Sequence, residues 1–592
     1  MKDFHLDRIL GENSVKAINQ LHDGPISKQN IEISQIKWPK VGSLSLLKPM
    51  IDENKNTSIE RISSDRLQEL TQLVCENKPS TSKADVNIKL NDYQLELYSL
   101  LNSYTDLIYT NETHENVDDI RSVYVLHALR HLMNSRSRII TNNKVFEKKT
   151  PNDNVVQDDP SLRDQGFTRT KILFLLPFRY SALKLGKEIA KLLSGTHNVM
   201  HMDRFIQEFG DEDGVDSTTR PIASDGNKPA DHYHTFHGNT DDSFRIGLKL
   251  TKKSIKFFSD FYDSDMIIAS PLGLKTILVP DEQHALRPPS DSEQVPVSGD
   301  KDFLSSIEIL VLDQAEVFLM QNWEHVLDIM QHINLMPSRP RKMDITRVRL
   351  WHLENWSKYY RQTLMFSSIT VPLLHSFFQT FSLNYEGYLT LKQRVDNPLA
   401  KQISTSYKQH FLYYDSANAK DACDDRYTFF TRHVLPKFTG LDHSGDNKGP
   451  LGHTLIFVGS YFDYVRLRNY FRKEKLSFTQ ICEYTEENKV SKARQLFYFG
   501  ARQFLLYTER CHFYHRYKIK GIRNIIFYEP PQFPKFYTEM LKMLELQGKK
   551  YVEGSGQFSA TTLFTNHDTL QMGAIMGFSN AVKLIQNKKS LT

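Results

Sequence analysis

The chain has 592 residues, 40% of them hydrophobic and 24% charged, with a formal net charge of +5. At roughly 150 residues per domain this length excludes a single core, and the composition excludes a disordered chain. The weak net charge leaves any nucleic-acid contact to local basic patches; Cys75, Cys423, Cys482 and Cys511 have no C-x-x-C spacing, which argues against a disulfide framework or a zinc ribbon.

The opening M-K-D-F-H-L-D-R-I-L has no apolar signal core and no apolar run reaches about 18 residues, so neither secretion nor a membrane span is expected. Residues 1–115 read as an N-terminal accessory region wrapped on the main body, with W-P-K-V-G at 38–42 and a helix near 93–107. Residues 116–395 read as a first α/β domain, with polar inserts near 141–164, 211–228 and 281–300. Helical spacing starts at Ile120. The run K-I-L-F-L-L-P (171–177) is a buried strand, and 181–193 has the period of its following helix. A helix-like stretch at 242–258 precedes the strand M-I-I-A-S (266–270). The strand I-E-I-L-V-L (307–312), interrupted only by Glu308, ends in D-Q-A-E. A helix over 314–334 and the strand Q-T-L-M-F-S-S (362–368) complete the pattern.

The same grammar restarts in residues 396–592. Strands are predicted at 409–414, 454–459, 478–484, 503–508, 524–528 and 561–564, and helices at 427–435, 461–475, 487–499 and 535–546. The fold class is therefore α/β, two doubly wound domains in tandem, an arrangement that suits ATP-driven nucleic-acid motors.

Such a motor needs G-x-x-x-x-G-K-[ST] between a strand and a helix, so that backbone N–H groups and a lysine cradle the phosphates. The sequence has no such loop; G-P-L-G-H-T (449–454) lacks the lysine and leads into a strand. Acid at the carboxyl end of a buried strand marks either a magnesium site or a helix cap. Asp313 could hold magnesium through water, but Gln314 cannot act as the general base a carboxylate supplies. E-M-L-K-M-L-E-L-Q-G-K-K (539–550) offers no arginine fingers. Neither Asp231 with His232, His234 and His237, nor Cys511 with His512 and His515, has a defined ligand set, and G-S-G at 554–556 is a turn, not a nucleophile elbow. No catalytic residue, metal or cofactor is expected.

Leu176-Pro177-Phe178-Arg179, Ser270-Pro271-Leu272-Gly273, Asp313-Gln314-Ala315-Glu316 and Ser367-Ser368-Ile369 resemble, in order, the A-P-T-R, T-P-G-R, D-E-A-D and S-A-T elements of DEAD-box RNA helicases; Thr508-Glu509 before Lys520-Gly521-Ile522 is similar to T-D…R-G-[LI]. These matches imply RecA-like domains. The longer words R-D-Q-G-F-T-R-T-K (163–171), M-Q-N-W-E-H-V (320–326), N-W-S-K-Y-Y-R-Q-T-L (355–364) and H-R-Y-K-I-K-G-I-R-N (515–524) resemble the digestive organ expansion factor family, also called U-three small nucleolar RNA-associated protein twenty-five. That resemblance implies a nucleolar component of the small-subunit processome needed for 18S-type rRNA maturation. Its helicase-like body would have lost ATP hydrolysis, and its partners would be pre-rRNA, the U-three snoRNA ribonucleoprotein and other processome proteins, without membrane or small-molecule substrate. Family members often carry a long acidic N-terminal tail, and this sequence starts near the shared core.

A scaffold acts through surfaces, and three stretches interleave cations with aromatics, the recipe for sequence-tolerant RNA binding. They are 351–361 with Trp356, Lys358, Tyr359, Tyr360 and Arg361; 461–475 with Arg466, Arg468, Arg472 and Lys473; and 512–523 with Phe513, Tyr514, Arg516, Tyr517, Lys518, Lys520 and Arg523. Arg179 and Lys275 lie beside elements that grip RNA backbone in helicases. An active ATP-dependent helicase with a cryptic nucleotide site and a purely protein-binding module remain as alternatives.

Overall fold

A computed structural model describes residues 18, 31–49, 59–68, 89–147, 162–193, 197–211, 216, 218, 228–278, 300–339, 343–392, 399, 408–439, 452–545, 558–588 and 590. Cys75, the start of the G-P-L-G-H-T turn, the glycine turn at 554–556 and most of the three polar inserts lie outside the described residues. The chain forms two compact units, Met1–Ser368 with Ser376–Gln393, and Ile369–His375 with Arg394–Thr592.

The first unit is built on one sheet of strands β1 (Ile31–Trp38), β2 (Gly42–Pro49), β3 (Asp106–Tyr109), β4 (Ile172–Leu175), β5 (Asn198–Met200), β6 (Arg245–Leu250), β7 (Ser254–Ser259), β8 (Met266–Ala269), β9 (Ile309–Leu312), β10 (Gln362–Phe366) and β11 (Tyr388–Leu391). Their order is β1-β2-β11-β3-β10-β9-β4-β8-β6-β7-β5. From β11 to β8 every pairing is parallel. Strands β3, β4, β8, β9 and β10 are buried at every position, as expected where helices cover both faces of a parallel sheet. The second unit carries β12 (Lys408–Tyr413), β13 (Thr454–Val458), β14 (Phe478–Ile481), β15 (Phe504–Thr508), β16 (Asn524–Phe527) and β17 (Ser559–Phe564), ordered β12-β17-β16-β13-β15-β14 and parallel throughout. Both units are doubly wound α/β folds of the RecA type.

Several expectations are corrected. Residues 242–258 form not a helix but the antiparallel pair β6 and β7, because Ile246, Leu248 and Leu250 alternate inward with the less buried Arg245 and Lys249. Among the described residues before 116, β1, β2 and β3 belong to the first sheet and do not form an outer wrap. The helix near 93–107 stops at Asn102, where Ser103 caps it and Tyr104 turns left-handed before β3. Helix Val117–Glu147 runs on into the stretch read as loop from 141. The helix over 314–334 is two, Ala315–Met320 and Trp323–His332, the second capped by Asn322.

Glu308, the acid that interrupts the β9 run, is the polar hub of the first unit. It receives His131 at 2.7 Å, Arg349 at 2.9 Å and Lys171. Burial alone would raise its pKa, yet Arg349, Lys171 and His131 together hold it well below the carboxylate range. Removing one partner of a buried ionic group leaves the others uncompensated. Glu308→Ala is therefore expected to cost about 3–5 kcal/mol, read in the first unit's transition during urea unfolding of the full chain, with Glu308→Gln costing less.

Candidate functional site

Strands β3, β10 and β9 end side by side, Tyr109 level with Phe366 and Leu312 level with Met365. Ligands of open α/β sheets bind beyond such carboxyl ends. The turn from β3 into helix α1 (Val117–Glu147) lies one strand from β10 and two from β9. It has the strand–turn–helix context that a phosphate loop requires. It reads T-N-E-T-H-E-N (110–116), without glycine or lysine.

Several backbone N–H groups of the turn and helix start are spent internally. That of Glu112 donates to Ser367 O at 3.0 Å, that of Thr113 to Asn116 Oδ1 at 2.7 Å, and that of Val117 to Thr113 O at 3.0 Å. The Glu112 carboxyl is buried facing Asp313 and Glu316; burial, then repulsion from those two acids, raises its pKa well above the usual range. Asp313 is fully buried, and its Oδ2 accepts from Arg121 Nη2 at 3.1 Å and from the Tyr124 hydroxyl at 3.0 Å, both on α1. Arg121 also donates to Asp118 at 2.7 Å. Burial opposes its charge, but Asp313 and Asp118 keep the guanidinium protonated.

Gln314 sits in the left-handed region at φ 55°, and its Oε1 accepts from Ser181 Oγ at 2.9 Å. Ala315 is buried behind it. Glu316 accepts from the Ser368 N–H at 3.1 Å, and burial raises its pKa. The sequence reading missed Glu112, Arg121 and Tyr124; a charged Arg121 on the apolar run of α1 was the one available signal, since a buried arginine requires a buried acid.

The other helicase-like elements are internal fastenings. Pro177 O accepts from Gln321 Nε2 at 3.1 Å. Arg179 donates to Glu208 O and Ser243 O at 3.0 Å each and pairs with Asp241 at 2.9 Å. Ser270 Oγ accepts the Gly273 N–H at 2.9 Å, and a Cβ on Gly273 would lie 2.2 Å from Phe244 O, so only glycine fits there. Lys275 pairs with Asp328 at 2.8 Å. In the second unit Thr508 caps helix Glu509–His515 by accepting from the Cys511 N–H at 3.2 Å. Glu509 accepts the Gln532 and Phe533 N–H groups at 3.2 and 3.0 Å, and burial lifts its pKa to about 8.

Of the candidate contact residues, several are core. Tyr360 stacks on Trp351 at 4.6 Å, with Trp356 packed on the same cluster. Arg361 is 3% exposed and binds Asn334 Oδ1 and Phe381 O, each at 2.8 Å. Phe513 packs on Phe533, and Arg516 lies over Phe536 while bonding His512 O at 2.9 Å. Their cation–aromatic spacing serves packing, which corrects their reading as surface residues. Arg466 covers the Tyr427 ring at 3.9 Å, Arg468 lies 5.9 Å from Tyr464, and Tyr514 is half-buried. Lys358, Lys518, Lys520 and Arg523 are exposed. His232 packs on Phe236 and His237 on Tyr180; among the described residues no cluster could hold a metal ion.

Two sheets with parallel cores and helicase-like words on the turns at their strand ends define an NTP-hydrolase-like protein. Residues 104–389 match the UTP25 NTP hydrolase-like domain and residues 400–592 the Utp25 C-terminal domain. The chain belongs to the U3 small nucleolar RNA-associated protein 25 family. It is 39% identical to the Xenopus tropicalis U3 small nucleolar RNA-associated protein 25 homolog, covering 97% of this chain and 72% of that one. Identity to the Homo sapiens homolog is 35%, over 100% and 74%, and to Arabidopsis thaliana Protein NUCLEOLAR FACTOR 1 it is 34%, over 84% and 65%. Among solved structures, the yeast DEAD-box splicing factor Prp28 aligns at TM-score 0.26 and 14% identity over 86% of this chain and 88% of that one.

A carboxyl whose pKa is raised on folding keeps its proton where the unfolded chain loses it, near pH 4.3. Its contribution to stability is present below that pH and is lost as pH rises through the folded value. Glu112→Gln is therefore expected to raise the melting temperature more at pH 8 than at pH 5; an equal gain at both would refute the buried-proton assignment.

Proposed function

We propose that this chain is a small-subunit processome component that acts in the nucleolus in rRNA processing. In this reading it is a non-catalytic helicase-like scaffold that binds pre-rRNA or U3 snoRNA together with neighbouring processome proteins. Its relatives' names, U3 small nucleolar RNA-associated protein 25 and NUCLEOLAR FACTOR 1, support the setting.

The loss of catalysis rests on one observation, the engagement of Asp313 by Arg121 and Tyr124 beneath a turn that carries Glu112. A magnesium–nucleotide group does not fit these residues. The metal would have to displace a buried guanidinium, and the phosphates would meet the Glu112 carboxyl in place of a lysine. Gln314 supplies no carboxylate to orient a nucleophile. What remains for the strand ends is cohesion.

Purified full-length chain is expected to show no RNA-stimulated ATP turnover above a no-enzyme blank. In cells depleted of the native protein, the Glu112→Gln variant is expected to restore 18S-type rRNA maturation. Turnover that Asp313→Ala abolishes would instead establish the active helicase.

A further inference from the structure

The second sheet is electrically polarised along its strands. At the carboxyl ends each strand is followed by an acid: Asp415, Asp463, Glu483, Glu509, Glu529 and Asp568 follow β12 to β17 in turn. Arg426 is buried among them, 2.9 Å from Asp463 and 2.6 Å from Glu529. The end where an open α/β sheet ordinarily takes a phosphate is thus closed to one.

The opposite edge differs in both charge and exposure. The loops entering β14, β15 and β16 carry Lys475, Arg502, Lys518, Lys520 and Arg523, all exposed, against Glu474. Between them Phe499 stands 78% exposed beside Tyr498 at 36%, the two rings edge to face at 5.3 Å. The loops form one surface. Gly521, at φ 88°, passes so near Tyr498 that an added Cβ would sit 3.2 Å from the Tyr498 Cα. The Arg523 N–H donates to His453 O at 2.9 Å, the Thr454 N–H to Gln503 O at 3.0 Å, and the Gln503 N–H to Ser477 O at 3.1 Å. Three adjacent strand spacings, roughly 14 Å at ~4.8 Å each, separate the β16 and β14 loops.

We infer that a single-stranded RNA segment binds along this amino-terminal edge of the second sheet, its phosphates on Lys518, Lys520, Arg523 and Arg502 and a base stacked on Phe499. Cations that track a backbone beside an exposed aromatic ring are the elements of single-strand recognition, and a duplex would hide its bases from the ring. The inference rests on the RNA-binding reading above and specifies its surface, the sheet end opposite Thr508-Glu509 and the same end as Lys520-Gly521-Ile522.

The test is fluorescence anisotropy of labelled oligouridine and of duplex RNA against the full chain, across a salt series. The variants are Phe499→Ala and the triple Lys518→Ala/Lys520→Ala/Arg523→Ala, with Lys252→Ala/Lys253→Ala on the β6–β7 turn as charge control and melting curves to verify folding. Oligouridine is expected to bind in preference to duplex. Phe499→Ala should weaken it roughly tenfold, the triple should flatten the log–log salt slope by roughly 0.7 for each phosphate that is no longer neutralised, and the control should bind as the parent does. Oligouridine binding that folded edge variants leave unchanged would overturn this surface while the RNA reading stands. A duplex preference would overturn the single-strand assignment. No binding of either RNA by the parent chain would overturn the RNA reading itself and leave the edge to a protein.

Discussion

The contact between Arg121 and Asp313 decides what the first sheet can do. A carboxyl group at the end of a fully buried strand must be neutralised, by a metal from solvent, by a cation from the chain or by its own proton. Here α1 supplies the cation, four residues after its start, and Tyr124 one turn later adds a hydrogen bond to the same oxygen. The helix that would otherwise open behind a phosphate loop is thereby locked against β9. The desolvation cost of two buried charges is offset in part because the guanidinium also reaches Asp118 and Asp313 also accepts from Tyr124. The interaction serves position more than net stability.

The second unit solves the same problem in the same way. Arg426, on the helix after β12, lies against Asp463 and Glu529 and donates to the Tyr414 hydroxyl at 3.2 Å. Burial lifts Asp463 and Asp568 to about 6, so protonation relieves the acid excess there only as the pH falls below neutral. In each unit one buried arginine on a helix closes the carboxyl edge from inside. In the proposed reading, a sheet whose strand ends are filled by its own ion pairs keeps the architecture of a nucleotide-binding fold with protein in the ligand's place.

Much of this architecture was legible because fully buried parallel strands read as short unbroken apolar runs, as β4, β8, β9, β13, β15 and β16 do. The extra strands were not. β3 is pinned by residues far along the chain, Asp106 accepting from Asn384 and from the Thr363 N–H, and no local period encodes partners so distant in sequence. The pair β6 and β7 was misread because two short strands joined by a tight turn imitate helical spacing. At the site, Gln314 was visible as a missing carboxylate, whereas Glu112 sits in a turn that matches no motif and matters only through what it faces. Arg361 and Arg516 show the limit of patch reading: a cation beside an aromatic looks the same in sequence whether it stacks on a base or packs on Phe536.

If the strand ends are closed by internal ion pairs, the consequence for a scaffold is kinetic as well as chemical. A nucleotide can shift a conformational equilibrium only by its differential affinity for the two states, and a chain that holds none has no such lever. In the proposed reading, its grip on RNA and protein would be set by surface cations and aromatics whose strength follows salt and competing contacts, not a hydrolysis cycle. Release must come from outside, through a partner that takes the strand or a neighbour that moves. In the proposed reading, a helicase-like body without its switch would be suited to holding a conformation of the assembly until another component changes it.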